Sequence, residues 1–304
     1  MTRALVTGGA GFIGSHLVDA LLARGDDVTV VDHLAERRLP NLAGATAARL
    51  VRGDVREVEA MADVFAAARP EVVFHLAAQI DVRRSVADPA IDAFVNIGGT
   101  ASVLEAARRS GARRVVLAST AGVYGEPPAL PTPEDAPLQP LSPYGAGKVA
   151  AESYVELFSR LHGLSGLALR MANVYGPRQS PSGEAGVVAI FCGAAARGEA
   201  ARMFGDGRQT RDFIYVGDVV DAFLAAGDAD VQGALNVATG RETSLLELGA
   251  ALGLETAAGP GRLGEVRRSC LDATAAARAL GWRARTPLAA GLERTLAALA
   301  SLPA

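Results

Sequence analysis

Short apolar runs alternate with longer amphipathic stretches through the first part of the chain, and the two periods separate cleanly. Residues 3–7, 28–31, 49–51, 72–78 and 114–119 are compact runs rich in Val, Leu and Ala that predict buried strands. Between them, Leu17, Val18, Leu21 and Leu22 recur at helical spacing, and 91–110 and 144–162 carry helical patterns. Ser142-Pro143 marks the start of the second long helix, with serine as N-cap and proline in the first turn. Strand and helix alternating up to Arg170 predict an α/β fold with a doubly wound parallel sheet. Beyond Met171 glycine and proline become frequent, the strands shorten and the alternation loosens. The expected organisation is therefore a domain over 1–172 and a smaller α/β lobe over 173–304, some of whose segments return to the first domain.

The turn after the first strand carries the first chemical signal. Gly8, Gly11 and Gly14 lie between a strand and a helix, with Phe12 and Ile13 in the same turn. Side chains at the glycines would keep the backbone from approaching a pyrophosphate resting on the helix N-terminus. The second strand ends in Asp32, an acid placed to accept both hydroxyls of an adenosine ribose and to repel a 2′-phosphate. His33 follows where an arginine would favour NADP, so the expected dinucleotide is NAD. Asp54 and Val55 after the third strand could close over an adenine edge, and Leu76-Ala77-Ala78 is small enough for close backbone passage. His75 reads as a packed strand residue. Asn96 lies near the start of the long helix, and Ser119-Thr120 ends the fifth strand, where open parallel sheets place their sites.

Composition narrows the classes. The 304 residues carry a net charge of −3 with no basic stripe, which argues against nucleic acid as a partner. No apolar run approaches a membrane span, and the first residues run straight into a strand without a leader-like stretch. Cys192 and Cys270 are far apart and read as reduced thiols of a cytoplasmic protein. The four histidines have no metal-ligand spacing, so no metal is expected. The proline-rich segment 122–141 is long enough to act as a lid.

Of the 30 basic residues one alone is lysine, Lys148. A chain so biased towards arginine keeps a lysine where a compact ammonium with freely turning donors is needed. Tyr144, four residues earlier, shares its helix face. The pair reads as a phenol made easier to deprotonate by a neighbouring cation. A cation about 5 Å away at an effective dielectric near 20 supplies roughly 3 kcal/mol, most of what a shift from about 10 to about 7 requires.

These motifs together resemble the extended short-chain dehydrogenase/reductase superfamily, in particular its nucleotide-sugar epimerases and dehydratases. The match runs through Thr7–Ser15, Asp32, Asp54-Val55, His75–Ala78, Asn96, Ser119-Thr120, Val123–Gly125, Ser142–Tyr144, Lys148, Asn173–Arg178, Gly205–Gly207 and Thr210–Phe213. The resemblance implies a Rossmann-like NAD domain and a C-terminal lobe for the nucleoside diphosphate. It implies that Tyr144 is the catalytic base and that Lys148 holds the nicotinamide ribose. Thr120, with Ser119 beside it, would hydrogen-bond the sugar 4-hydroxyl. Asn173, Arg211, Arg262 and Glu265 would grip the diphosphate or nucleoside ribose, and Ser269 would border the sugar pocket. A homodimer is implied through the helices at 91–110 and 144–162, where Val149, Ala150, Tyr154, Leu157 and Phe158 provide apolar surface.

Within that family, dehydratases carry an Asp-Glu pair after the equivalent of Thr120, and decarboxylases a glutamate. Here Ala121 and Gly122 stand there. The resemblance then implies oxidation at C4 and its reversal, so the expected activity is that of a UDP-hexose 4-epimerase with UDP-glucose and UDP-galactose as the default pair. N-acetylated sugars and UDP-glucuronate stay open as substrates. A dehydratase or decarboxylase, and a non-catalytic NAD sensor, are the alternatives.

Overall fold

The computed structural model describes residues 1–34, 40–180, 186–259 and 266–301. The chain begins with β1 (Arg3–Thr7), α1 (Phe12–Ala23), β2 (Asp27–Asp32), β3 (Arg49–Arg52), α2 (Val58–Ala68) and β4 (Val72–His75). There follow α3 (Val82–Ala87), α4 (Pro89–Ala93), a π turn (Phe94–Gly98), α5 (Gly99–Ser110), β5 (Arg114–Thr120) and α6 (Pro143–His162). Next come β6 (Ser165–Met171), β7 (Asn173–Tyr175), α7 (Val187–Arg197), β8 (Ala201–Phe204), β9 (Thr210–Arg211), β10 (Phe213–Tyr215) and α8 (Val216–Asp228). The last elements are β11 (Gly233–Val237), β12 (Thr243–Ser244), α9 (Leu245–Ala251), β13 (Thr256–Gly259), α10 (Thr274–Leu280) and α11 (Leu288–Ala300).

Seven strands form one parallel sheet in the order β3-β2-β1-β4-β5-β6-β11. This is the doubly wound Rossmann-like sheet expected from the alternation. Its strands read as continuous apolar runs because both faces are covered. Val6, Phe74 and Val116 point to the layer holding Leu17 and Phe223, whereas Leu5, Val73 and Val115 point to the layer holding Phe65 and Val155. A separate cluster built from Tyr175, Phe191, Met203, Phe213, Leu248 and Leu292 holds the small C-terminal strands and helices together. Residues 233–237 add the outermost strand beside β6, and α8 packs on α1.

The chain reverses direction across the sheet between β1 and β4, which run to β2 on one side and to β5 on the other. That divergence opens a crevice at the carboxyl ends of these two strands. The Gly8 turn and the segment after His75 lie there.

Three expectations change. The fourth strand ends at His75, not Ala78, since the chain leaves the ladder once Leu76 N–H has bonded Thr7 O at 3.1 Å. The helix expected over 91–110 starts at Pro89 and contains a π turn at Phe94–Gly98. The proline-rich segment is fastened, not a free lid. Thr132 N–H bonds Cys270 O, its carbonyl accepts from Asp272 N–H and Asn236 Nδ2, and Glu134 accepts Asn236 N–H. Extended backbone in this segment finds its hydrogen bonds in the C-terminal part of the chain, a partner that local sequence does not reveal.

Candidate active site

Gly8 has φ +71°, and a Cβ there would lie 2.7 Å from Ala77 N. A Cβ on Gly14 would fall 2.3 Å from Gly8 O, so the helix can start against the turn only because both positions are glycine. Helix α1, with Gly11 at its N-cap, has no side-chain cap and no acidic residue in its first turn. Its N-terminal N–H groups and positive dipole end therefore face the crevice, a cradle suited to a pyrophosphate. Phe12 and Ile13 lie at this end, partly exposed.

Asp32 ends β2, as expected. Its Oδ2 accepts Ala10 N–H at 3.1 Å and its Oδ1 accepts Leu34 N–H at 2.9 Å, so the carboxylate ties the turn to the loop after β2. The exposed ring of His33 lies 3.2 Å from Asp32 Oδ1. Asn41, which the sequence did not single out, donates to Ala10 O at 3.0 Å. Asp54 is clamped by Arg56 at 2.6 Å, a pairing that holds its carboxyl below the usual range. Val55 is buried against α5 at Gly99. Leu76, Ala77 and Ala78 pass beside the Gly8 turn, partly exposed.

Beneath this crevice runs a buried polar chain. Thr100 Oγ1 donates to Asn96 O at 2.7 Å, so it must accept from His75 Nε2, 3.1 Å away. That makes Nε2 the protonated nitrogen and leaves Nδ1 to accept from Thr7 Oγ1 at 2.7 Å. Burial pushes the His75 pKa down to about 3, with Lys148 adding to the effect. His75 is a neutral structural residue, as expected. Asn96 Oδ1 accepts Gln79 N–H at 2.9 Å, and its Nδ2 donates to Gln79 O and Asp92 Oδ1. Its amide thereby secures the 76–79 loop.

Helix α6 starts as the sequence indicates, with Ser142 Oγ accepting Gly145 N–H at 3.1 Å and Pro143 in the first turn. Tyr144 and Lys148 follow on one face. Thr120 Oγ1 accepts Gly122 N–H at 3.1 Å, and its hydroxyl favours the ionised form of the Tyr144 phenol. Lys148, 3% exposed, donates from Nζ to Ala118 O at 2.9 Å. Burial pushes its pKa down to about 8, opposed by the carboxylates of Glu152 and Asp92.

Two site expectations are corrected. Tyr144 is not acidified by Lys148 in the folded chain. Burial pushes its pKa up to about 12, with Thr120 opposing and Asp92 reinforcing the rise. Desolvation of the phenolate is the largest cause, and Lys148, whose ammonium is engaged by Ala118 O, is not among the groups that lower it. Ser119 does not stand beside Thr120 in the site, because successive strand residues point to opposite faces. It is 1% exposed and its Oγ donates to Glu152.

Glu152 belongs to a network the sequence did not disclose. Arg170 binds both of its carboxylate oxygens, at 2.7 and 3.1 Å, and also donates to Tyr124 Oη at 2.8 Å and Glu134 O at 2.9 Å. Tyr124 donates in turn to Asn236 Oδ1 at 2.8 Å. An acid in a YxxxKxxxE pattern was the available signal for Glu152.

In the C-terminal part, Asn173 is exposed at the start of β7, which pairs with β10. Arg211 lies on β9, and Ser269 N–H bonds the neighbouring Thr210 O at 3.2 Å, bringing those two positions together. Arg262 and Glu265 lie outside the described residues. No group of three His, Cys, Asp or Glu among the described residues is arranged to hold a metal.

With the crevice and the Thr120–Tyr144–Lys148 group in place, comparison with known proteins is informative. Residues 4–238 match the model of the NAD dependent epimerase/dehydratase family. A UDP-glucose 4-epimerase from Mycolicibacterium smegmatis is 49% identical over 305 residues, covering 97% of each chain. The structure of UDP-glucose 4-epimerase from Thermotoga maritima with UDP-glucose superposes with a TM-score of 0.94 at 44% identity, covering 98% of each chain. That of Thermus thermophilus UDP-glucose 4-epimerase in complex with NAD gives 0.90 at 40% identity, over 98% of this chain and 99% of that one. A parallel sheet with a glycine cradle at its switch point, a Tyr-Lys pair on α6 and likeness along almost its full length place this chain in the NAD-dependent epimerase/dehydratase family.

Proposed function

We propose that the chain is a UDP-hexose 4-epimerase interconverting UDP-glucose and UDP-galactose. The observation that carries this reading is the corner formed by Thr120, Tyr144 and Lys148 with Ala121 and Gly122 beside it. Acid–base chemistry at the sugar then rests on one phenol. Of the nearby acids, Glu152 is paired with Arg170 and Asp92 is buried under α6. Neither of the two side chains after Thr120 can move a second proton, as elimination across C5 and C6 would require.

In this reading Tyr144 Oη removes the proton of the sugar 4-hydroxyl while Thr120 donates a hydrogen bond to the same oxygen. Bound NAD⁺ supplies the hydride acceptor at C4, later the hydride donor, and a positive ring that favours the ionised phenol. Lys148, its Nζ fixed by Ala118 O, keeps two donors for the ribose next to that ring. After the 4-keto sugar turns, Tyr144 returns its proton to the oxygen on the other face. The glycine cradle, Asp32 and the Leu76–Ala78 segment would hold the dinucleotide. Asn173, Arg211 and Ser269 would line the nucleotide and sugar side, contributed by the lobe that begins near 173. Incubation with a panel of UDP-sugars, followed by NMR of the products, tests the reading. Interconversion of UDP-glucose and UDP-galactose is expected, whereas a 4-keto-6-deoxy sugar or a pentose would overturn it. The small side chain of Ser269 makes N-acetylated UDP-hexoses the next arm of the panel.

Tyr154, Leu157 and Leu161 recur at helical spacing on α6 and are 38%, 37% and 70% exposed. We infer that this face meets a second copy through α5 and α6, which sedimentation would detect as a dimer. No helix among the described residues is long and apolar enough to cross a membrane. Two buried, unpaired thiols fit a reducing compartment, and we place the enzyme in the cytoplasm.

A further inference from the structure

Asp92 is an acid near the reacting pair that the proposed chemistry does not use and, unlike Glu152, is not shown paired with an arginine among the described residues. It lies on α4, 1% exposed. Its Oδ1 accepts from Gln79 Nε2 at 2.9 Å and from Asn96 Nδ2 at 3.1 Å, two neutral amides. Its Oδ2 is buried and carries no hydrogen bond. A bare carboxylate oxygen in the interior is destabilising unless something offsets it, so it calls for an explanation. The packing shows where that oxygen is aimed. A Cβ on Gly147 would lie 3.2 Å from Asp92 Oδ2 and 3.3 Å from Asn96 Cβ, so α6 packs on this side of α4 with little room for a side chain at 147. Gly147 sits between Tyr144 and Lys148 in sequence, so the bare oxygen lies against the stretch of α6 that carries both.

The other charges around Asp92 can be followed element by element. From α6 come Tyr144, Lys148 and, one turn on, Glu152, whose charge Arg170 offsets. From β4 comes His75, neutral. The π turn carries no titratable side chain. The packed helix α3 carries Arg83 and Arg84, both exposed, and its N-cap Asp81 accepts Arg84 N–H. On the same side as Asp92, Asp88 caps α4 by accepting Ile91 N–H. Asp92 is thus the buried negative charge facing the pair that no neighbouring guanidinium is shown to neutralise among the described residues.

We propose that Asp92 is a positioning residue for the Tyr144–Lys148 pair, its carboxylate held by Gln79 and Asn96 so that it supplies a countercharge for the Lys148 ammonium and opposes negative charge on the Tyr144 oxygen. The burial-driven rise at Tyr144 includes a contribution from Asp92, as does the resistance of Lys148 to losing its proton. The carboxylate thereby favours the protonated phenol and the charged lysine. This inference rests on Tyr144 as the base of the proposed reaction.

The test compares NAD-loaded wild type with Asp92→Asn, Asp92→Glu and Tyr144→Phe. Ultraviolet absorbance of tyrosinate is titrated first, and the part missing in Tyr144→Phe is Tyr144's own. Asp92→Asn is expected to bring Tyr144 ionisation about one pH unit lower, and to move the acid limb of kcat by the same amount. Asp92→Glu should return both towards wild type. Coincident titrations of wild type and Asp92→Asn would overturn the inference, even if turnover fell. If neither Asp92 variant gives folded, NAD-loaded protein, the residue is a structural tether and the inference also fails. A shifted titration in a protein without epimerase activity would sink the reaction assignment and leave the role of Asp92 standing.

Discussion

Helix α6 borders two buried polar centres that differ in one respect, how completely their groups are paired. Towards its middle, Glu152 is gripped by Arg170, and the chain Ser119–Glu152–Arg170–Tyr124–Asn236 runs on to Thr132 and Asp272, each step a hydrogen bond. At its start, Asp92 Oδ2 is buried without a hydrogen bond beside the stretch of α6 that carries Tyr144 and Lys148. The first centre is closed and joins β5, α6, β6 and β11 into one body. The second is open, and opening it has a thermodynamic consequence. Depressing Lys148 from 10.5 to about 8 corresponds to about 3 kcal/mol against folding at neutral pH. Both states are charged below pH 8, so the penalty is complete there and is relieved only as pH rises towards 10.5. Paired charge in this molecule holds structure, and charge left short of partners is where reaction can occur.

That contrast can be broken by removing one member from each centre. Glu152→Ala strands a buried guanidinium, and a loss of about 3–5 kcal/mol in urea unfolding is expected. A change below about 1 kcal/mol would mean that the network does not hold the sheet together. Tyr144→Phe should do the opposite, lowering turnover at least about 100-fold with little change in melting temperature and with NAD still bound. Near-wild-type turnover would remove Tyr144 as the base. Lys148→Arg keeps the charge but exchanges an ammonium for a planar fork, and kcat should fall almost as far as in Tyr144→Phe. Unchanged kcat would show that charge alone is needed there.

A smaller effect separates the polar chain under the crevice from both centres. His75 has a folded pKa of about 3 against 6.5 for an ordinary histidine. Its contribution is complete above pH 6.5 and lost as pH falls towards 3, since the unfolded state takes up the proton first. Between pH 7 and pH 5, wild type should lose about 2 kcal/mol of stability that a His75→Asn variant does not lose. Parallel pH–stability curves would show that His75 is not held neutral by the fold.

The legible parts share a physical character. Gly8, Gly11 and Gly14 act within one turn, Ser142-Pro143 caps its own helix, and Tyr144 and Lys148 lie one turn apart, so neighbours in sequence are neighbours in space. The apolar runs determine a two-sided parallel sheet because each strand is buried on both faces. The single lysine, at 148, already pointed to this pair. Tertiary structure decided what depends on distant partners. It turned Ser119 away from Thr120 onto Glu152, fastened 122–141 to Asn236 and Cys270, and set Asp92 under Gly147. It also decided the sign at Tyr144, because a cation's attraction can be anticipated from spacing, whereas the desolvation of a half-buried phenol exists only once the chain has closed around it.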